Sequence, residues 1–61
     1  MSEGQIFKAA TFALSQIRKG VSKQQFVDSA KLTERETGKP YSKNVLRAGY
    51  RKAKQEIKDQ S

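Results

Sequence analysis

The sequence predicts an all-α protein, a small three-helix domain, and three observations lead to this fold class. Apolar residues recur at helical spacing in three segments, and helix start and stop signals separate these segments. The sequence has no sustained alternation of apolar and polar residues and no Asn-Gly or Asp-Gly turn, so nothing in it indicates a β-hairpin. The chain has 61 residues, near the lower limit for a domain that folds alone. We expect one domain over residues 1–61, with helices at about 3–19, 23–36 and 43–58.

The first predicted helix ends in residues that suit a helix C-terminus. Arg18 and Lys19 fall in its last turn, where positive charge offsets the negative end of the helix dipole. Gly20 follows, and glycine commonly ends a helix. The apolar stripe of this helix consists of Ile6, Ala10, Ala13, Leu14 and Ile17, with Phe7 at its edge.

Phe12 does not belong to that stripe, since it projects from roughly the opposite side of the first helix. Two interpretations remain open. The helix buries two faces, or Phe12 is an exposed aromatic side chain at a partner or homodimer contact. Two-fold pairing in a homodimer would double the area that so small a protein can offer to a larger partner.

The second predicted helix has a strong start signal. Ser22 is a good N-cap, and Gln25 three residues later completes a capping box. Val21 and Phe26 have the spacing of a hydrophobic staple around that cap. The end of this helix is less sharply marked, because Leu32 does not fall on the same side of the helix as Phe26. The helix stops near residue 30 or continues to about residue 36, and the Thr-Gly-Lys-Pro segment at 37–40 breaks it in either case.

The third predicted helix begins at a second serine cap, Ser42, with Tyr41 and Leu46 at staple spacing. Gly49 lowers helix propensity by roughly 1 kcal/mol against Ala, and we interpret it as the mark of a close helix–helix contact. The apolar stripe of this helix consists of Leu46, Tyr50, Ala53 and Ile57. We expect the residues from 59 to 61 to fray.

The chain is strongly basic. Thirteen Lys and Arg against six Asp and Glu give a formal net charge of +7, which attracts polyanions. Nucleic acid, an anionic membrane and an acidic protein surface are the candidate partners, and basicity without a binding role is the alternative. A mean hydropathy of -0.86 and an alanine-rich first helix argue against a membrane partner.

Five basic residues of the third helix share one side, and we call them the basic row. At 100° per residue they fall within a sector of about 80°, beside the apolar stripe. A helix that needs only solubility usually mixes both signs of charge, so a row of like charges favours an anionic partner over a merely solvated face. The basic row consists of Lys43, Arg47, Arg51, Lys54 and Lys58.

These side chains favour double-stranded DNA. Arg47 and Arg51 can make forked contacts to phosphate or guanine, and Asn44 can read adenine. Readers of single-stranded RNA usually present exposed aromatic side chains, whereas Tyr50 and Phe26 are expected in the core. We therefore predict that DNA is favoured over RNA.

The order of the second and third helices resembles a helix-turn-helix, with a capped helix followed by a serine-initiated helix that carries basic and amide residues. The resemblance is loose and concerns layout only. The connection from Thr37 to Tyr41 is longer than usual and contains a proline.

No constellation of residues indicates an enzyme or a metal site. The chain has no Cys and no His, which removes the commonest nucleophile–base pairs and zinc ligands. Glu34 and Glu36 are close in sequence, but residues two apart on a helix do not face each other. We expect no catalytic residues, no cofactor and no bound metal.

The function predicted from the sequence is that of a small nucleic-acid-binding protein with a regulatory or accessory role. It would bind duplex DNA through the third helix, in the cytoplasm or on a nucleoid. The start of the chain lacks the basic and apolar segments of a signal peptide. The alternative is an adaptor or inhibitor that docks on an acidic surface of a nucleic-acid-processing complex.

Overall fold

The computed structural model describes residues 3–60 and has three α-helices in this range. They are α1 (Glu3–Arg18), α2 (Lys23–Ser29) and α3 (Lys43–Gln60). The predicted all-α, three-helix fold is confirmed. Between α2 and α3 the described residues form an isolated antiparallel bridge, Thr33 with Pro40, rather than a named strand.

Both serine caps form as predicted. The Ser22 Oγ accepts a hydrogen bond from the backbone N–H of Gln25 at 3.3 Å, and the Gln25 side chain accepts from the N–H of Ser22 at 3.1 Å. At the start of α3, the Ser42 Oγ accepts from the N–H of Val45 at 3.2 Å. Each cap satisfies a donor that the helix itself leaves without a partner.

The core is built on close contact between α1 and α3, through small residues. Gly49 of α3 lies directly against α1. A Cβ atom added there would stand 2.9 Å from the backbone nitrogen of Ala10. The interpretation of Gly49 as a close-contact residue is therefore confirmed. The buried small residues of the two helices are Ala9, Ala10, Ala13, Gly49 and Ala53.

The buried face of α1 differs from the predicted stripe. Ala9, which the stripe omitted, is fully buried, whereas Ile6, Leu14 and Ile17 are only partly buried. The buried face is turned by about 40° around the helix axis, at 100° per residue. The physical reason is the contact at Gly49, since α3 approaches most closely where α1 presents its smallest side chains.

Three aromatic rings, one from each helix, join α2 to the other two. The ring of Phe26 lies 5.8 Å from that of Phe12 and 5.7 Å from that of Tyr50, centre to centre. Both distances suit favourable ring–ring packing. The Tyr50 hydroxyl donates a hydrogen bond to the carbonyl oxygen of Val21 at 3.1 Å, so this polar tip is satisfied beside the core.

The expectation that the second helix reaches residue 36 is wrong, because α2 ends at Ser29. Ala30 is extended, with ψ 125°, and the chain then forms a compact loop. We call residues 31–41 the hairpin loop. In it the N–H of Glu34 donates to the carbonyl of Lys39 at 2.7 Å, and the N–H of Tyr41 donates to that of Leu32 at 2.9 Å. Leu32 and Tyr41 both pack against the core, which anchors the loop at its two ends.

The other helix ends differ from expectation by one or two residues. α1 ends at Arg18, and Lys19 and Gly20 form a turn, with Gly20 at φ 84°. α3 continues to Gln60, so the expected fraying at Asp59 is not seen, and Ser61 lies outside the described residues. A hydrogen bond of 3.0 Å from the Gln55 side chain to Asp59 supports this last turn.

Candidate nucleic-acid interface

One side of α3 is buried and another carries the basic row. The buried side presents Val45, Leu46, Gly49, Tyr50 and Ala53 to the rest of the fold. All five side chains of the basic row are exposed, and so is Asn44. Leu46, Tyr50 and Ala53 of the predicted stripe are buried, whereas Ile57 is only partly buried. Val45 and Gly49, which the stripe omitted, are buried in addition, and none of the five basic side chains is. The members of the candidate interface are Lys43, Asn44, Arg47, Arg51, Lys54 and Lys58.

The basic row runs along most of α3. From residue 43 to residue 58 it extends about 22 Å along α3, at 1.5 Å per residue. Around the helix it begins next to Tyr50, which contacts Phe26 of α2, so the row lies on the side of α3 that faces α2. Lys52 lies on the other side, beyond the contact with α1. The row therefore lies beside the packed side of α3, and its five residues remain exposed.

Asn44 is hydrogen-bonded to Arg47 of the row. The Arg47 Nη1 donates a hydrogen bond to the Asn44 Oδ1 at 3.1 Å. This contact holds the guanidinium beside the first turn of α3, where backbone N–H groups also point outward. The Asn44 oxygen keeps a second lone pair, and its amide nitrogen keeps two donors. The pair can therefore still contact a base edge and a phosphate together.

The second half of the row surrounds a shallow depression of about 260 Å³. Three of its four lining residues are basic, so it is a candidate position for an anionic group such as a phosphate. Gln55 is the lining residue that the sequence interpretation missed. Its position four residues after Arg51 was the available signal, because residues i and i+4 are neighbours on a helix surface. The lining residues are Arg51, Lys54, Gln55 and Lys58.

The two acidic residues of α3 lie outside the sector of the row. Glu56 forms an ion pair with Lys52, with 3.6 Å between the Lys52 Nζ and a carboxylate oxygen. Asp59 accepts the hydrogen bond from Gln55 already described. By helical geometry Glu56 lies about 180° from the middle of the row, and Asp59 lies about 120° from it. Glu56 is therefore turned away from the row, whereas Gln55 holds the Asp59 carboxylate beside its second half.

The two partly exposed phenylalanines lie on different sides of α1. Phe12 packs its ring against Phe26 and remains 38% exposed, so α1 buries part of a second face, and a partner or homodimer contact at the exposed part of Phe12 stays a prediction. Phe7 is more exposed, at 64%, although the sequence placed it at the edge of the apolar stripe. Leu32 is partly buried and packs against the core.

The connection between α2 and α3 runs from Ala30 to Ser42 and contains the hairpin loop. It is much longer than the three- or four-residue turn of a typical helix-turn-helix. The order of the helices stays compatible with a loose likeness to that motif, but α2 and α3 are not joined by its tight turn.

Within residues 3–60, no group of acidic side chains comes close enough to hold a metal ion. No helix in the same range combines the length and the apolar character that a bilayer crossing requires. Comparison of the chain with known protein families, with curated proteins and with solved structures found no match.

Proposed function

We propose that this protein binds double-stranded DNA through the basic row of α3, in a regulatory or accessory role in the cytoplasm or on a nucleoid. The observation that carries the proposal is the exposure of five like-charged side chains along one side of a single helix. No core residue interrupts this side, and α3 is 18 residues long, enough to lie along a duplex.

The row costs stability when no anion is present. Its successive members stand three or four residues apart, and each such like-charge pair destabilises a helix by roughly 0.2–0.5 kcal/mol. Four successive pairs therefore amount to about 1–2 kcal/mol. A phosphate backbone relieves this repulsion, and the release of its condensed counterions adds affinity.

Duplex DNA suits this surface better than single-stranded nucleic acid. Proteins that bind single strands stack bases on exposed aromatic rings. The aromatic residue of α3 is Tyr50, which is buried, and its hydroxyl is held by Val21. The row thus offers charge and hydrogen-bond donors without a stacking platform, which is the chemistry of a backbone or major-groove contact.

Within the candidate interface, different residues serve different purposes. Arg47 and Arg51 supply planar guanidinium groups that can make two parallel bonds to a phosphate or to guanine. Lys43 stands in the first turn of α3, where the outward N–H groups favour the same phosphate. Asn44 is the residue best suited to distinguish adenine.

The experiment is a titration of a labelled mixed-sequence DNA duplex and an RNA hairpin with the protein, at several salt concentrations. We expect the duplex to bind more tightly and log K to fall steeply with log salt. The Arg47→Ala/Arg51→Ala variant should reduce the slope by about two, one for each lost phosphate contact. A matched control, Arg18→Ala/Arg35→Ala, removes the same charge from exposed positions outside the row.

The comparison of the two variants decides the proposal. If both reduce the slope equally, binding depends on net charge and the row is not the interface. If neither nucleic acid binds at low salt, the proposal is wrong. The exposed part of Phe12 then favours the alternative, an adaptor or inhibitor that docks on an acidic protein surface. A pull-down with wild type and Phe12→Ala would test it.

A further inference from the structure

The most exposed large apolar side chain of the described residues, Phe7, lies on a side of α1 that nothing in the fold covers. It is 64% exposed and borders a surface pocket of about 330 Å³. The pocket lies between α1 and α3, and we call it the Phe7 pocket. Its lining residues are Glu3, Ile6, Phe7 and Lys52.

Helix packing explains why this side remains open. Phe7 and Phe12 are five residues apart and therefore about 140° apart around α1, on either side of the buried alanines. α2 covers the side of Phe12 through the ring of Phe26. The opposite side receives no element from residues 3–60, so the partly buried Ile6 and the ring of Phe7 stay accessible to another molecule.

The charges around the Phe7 pocket differ from those of the rest of the protein. Glu3 and Lys52 line the pocket, and Glu56 pairs with Lys52 beside it. Two carboxylates against one ammonium group make this region slightly acidic on a chain of net charge +7. Arg18 lies further along the same side of α1, about 16 Å from Phe7 at 1.5 Å per residue.

We propose that the Phe7 pocket is the contact of a homodimer, in which Phe7 of one copy packs against Phe7 and Ile6 of the other. A two-fold contact brings a surface against itself, so it must be self-complementary. This surface carries both signs of charge, and Lys52 of one copy can face Glu3 of the other. The net charge of +7 repels a second copy in general, so a surface that joins the most exposed apolar ring of the described residues to both signs of charge is best suited to self-association.

The dimer contact and the basic row do not compete for surface. Lys52 belongs to the Phe7 pocket and lies about 140° around α3 from the middle of the row. The basic row of each copy therefore remains exposed in the dimer. The inference goes beyond the proposed DNA binding and does not rest on it, since self-association is measured without nucleic acid.

Sedimentation velocity over a roughly 100-fold range of protein concentration tests the proposal, on protein freed of nucleic acid. Because one ring dominates the contact, we expect a weak dimer, with Kd on the order of 100 µM. Phe7→Ser should raise Kd by at least roughly tenfold and leave the helical circular dichroism unchanged. Added sodium chloride should strengthen the dimer, because salt screens the repulsion between the two copies.

Phe12→Leu is the matched control, since it keeps an apolar side chain against Phe26 and should leave Kd unchanged. The absence of Cys allows a second measurement. A short bismaleimide should cross-link a Thr11→Cys variant, one turn from Phe7, faster than a Gln24→Cys variant on α2. A monomer at every concentration, a dimer that Phe12→Leu but not Phe7→Ser weakens, or equal cross-linking of the two variants would overturn the proposal.

Discussion

At the scale of single residues, Gly49 has the largest structural consequence. Its missing side chain lets α3 approach the backbone of Ala9 and Ala10, and this approach sets the rotation of α1. The rotation in turn buries Ala9, brings Phe12 onto Phe26 and leaves Phe7 exposed. A residue that lowers helix propensity is thus used where close packing requires it.

We predict that Gly49→Ala destabilises the protein, although Ala is the better helix former. The new methyl group would meet backbone atoms of α1 at 2.9 Å, and backbone cannot move aside as a flexible side chain can. Overpacking costs about 1–3 kcal/mol and the propensity gain returns about 1 kcal/mol, so we expect a net loss of about 1–2 kcal/mol. Urea unfolding followed by circular dichroism measures this loss. An increase in stability would show that α1 and α3 have room to separate.

At the scale of elements, the hairpin loop is the feature that the helical pattern did not reveal. Gly38 donates its N–H to the carbonyl of Glu34 at 2.8 Å and has φ 71°, a conformation that side chains other than Gly rarely adopt. Nothing lies within 4 Å of the place where its Cβ would be. The need for glycine here is therefore a matter of backbone conformation alone.

This allows a matched pair of substitutions. Gly38→Ala should lower the free energy of unfolding by about 1–2 kcal/mol, the cost of the left-handed conformation for an ordinary residue. Gly38→Asn should cost clearly less, because Asn tolerates that conformation. Thermal unfolding of the two variants and wild type gives the comparison. Equal losses would mean that the loop requires the absence of a side chain rather than a positive φ.

At the scale of the whole molecule, a charge of +7 is confined to a small body. The principal extents are 37 × 21 × 16 Å, which correspond to about two to five Debye lengths at physiological salt. Repulsion at this salt concentration therefore acts mainly between neighbouring basic groups, such as those of the basic row, and it opposes the folding of a chain with a small core.

We predict that sodium chloride raises the Tm of the free protein. Screening of about 1 kcal/mol of repulsion should raise it by roughly 4–8 °C in a domain of this size. Arg47→Gln/Arg51→Gln should show a smaller rise than Arg18→Gln/Arg35→Gln, because the first pair belongs to the row. Thermal denaturation at several salt concentrations measures both. A Tm that falls with salt would mean that attractive charge pairs outweigh the row.

Local interactions explain what could be predicted from the sequence. The serine caps, the three helical segments and the exposed basic row all depend on residues within one or two turns of each other, as Ser22 with Gln25 illustrates. The six side chains of the candidate interface were placed on the exposed side of α3 by helical periodicity alone, because Leu46, Tyr50 and Ala53 define the buried side.

The sequence by itself thus determined the fold class, the helix starts and the charged side of α3. Only the tertiary structure decided the end of α2, where Leu32 and Tyr41 reach the core through a loop instead of a longer helix. It also decided which phenylalanine of α1 is the more exposed. Periodicity gives the spacing of an apolar stripe, but the direction in which the stripe faces depends on the partner helix. Here that direction is set by the approach of α3 at Gly49.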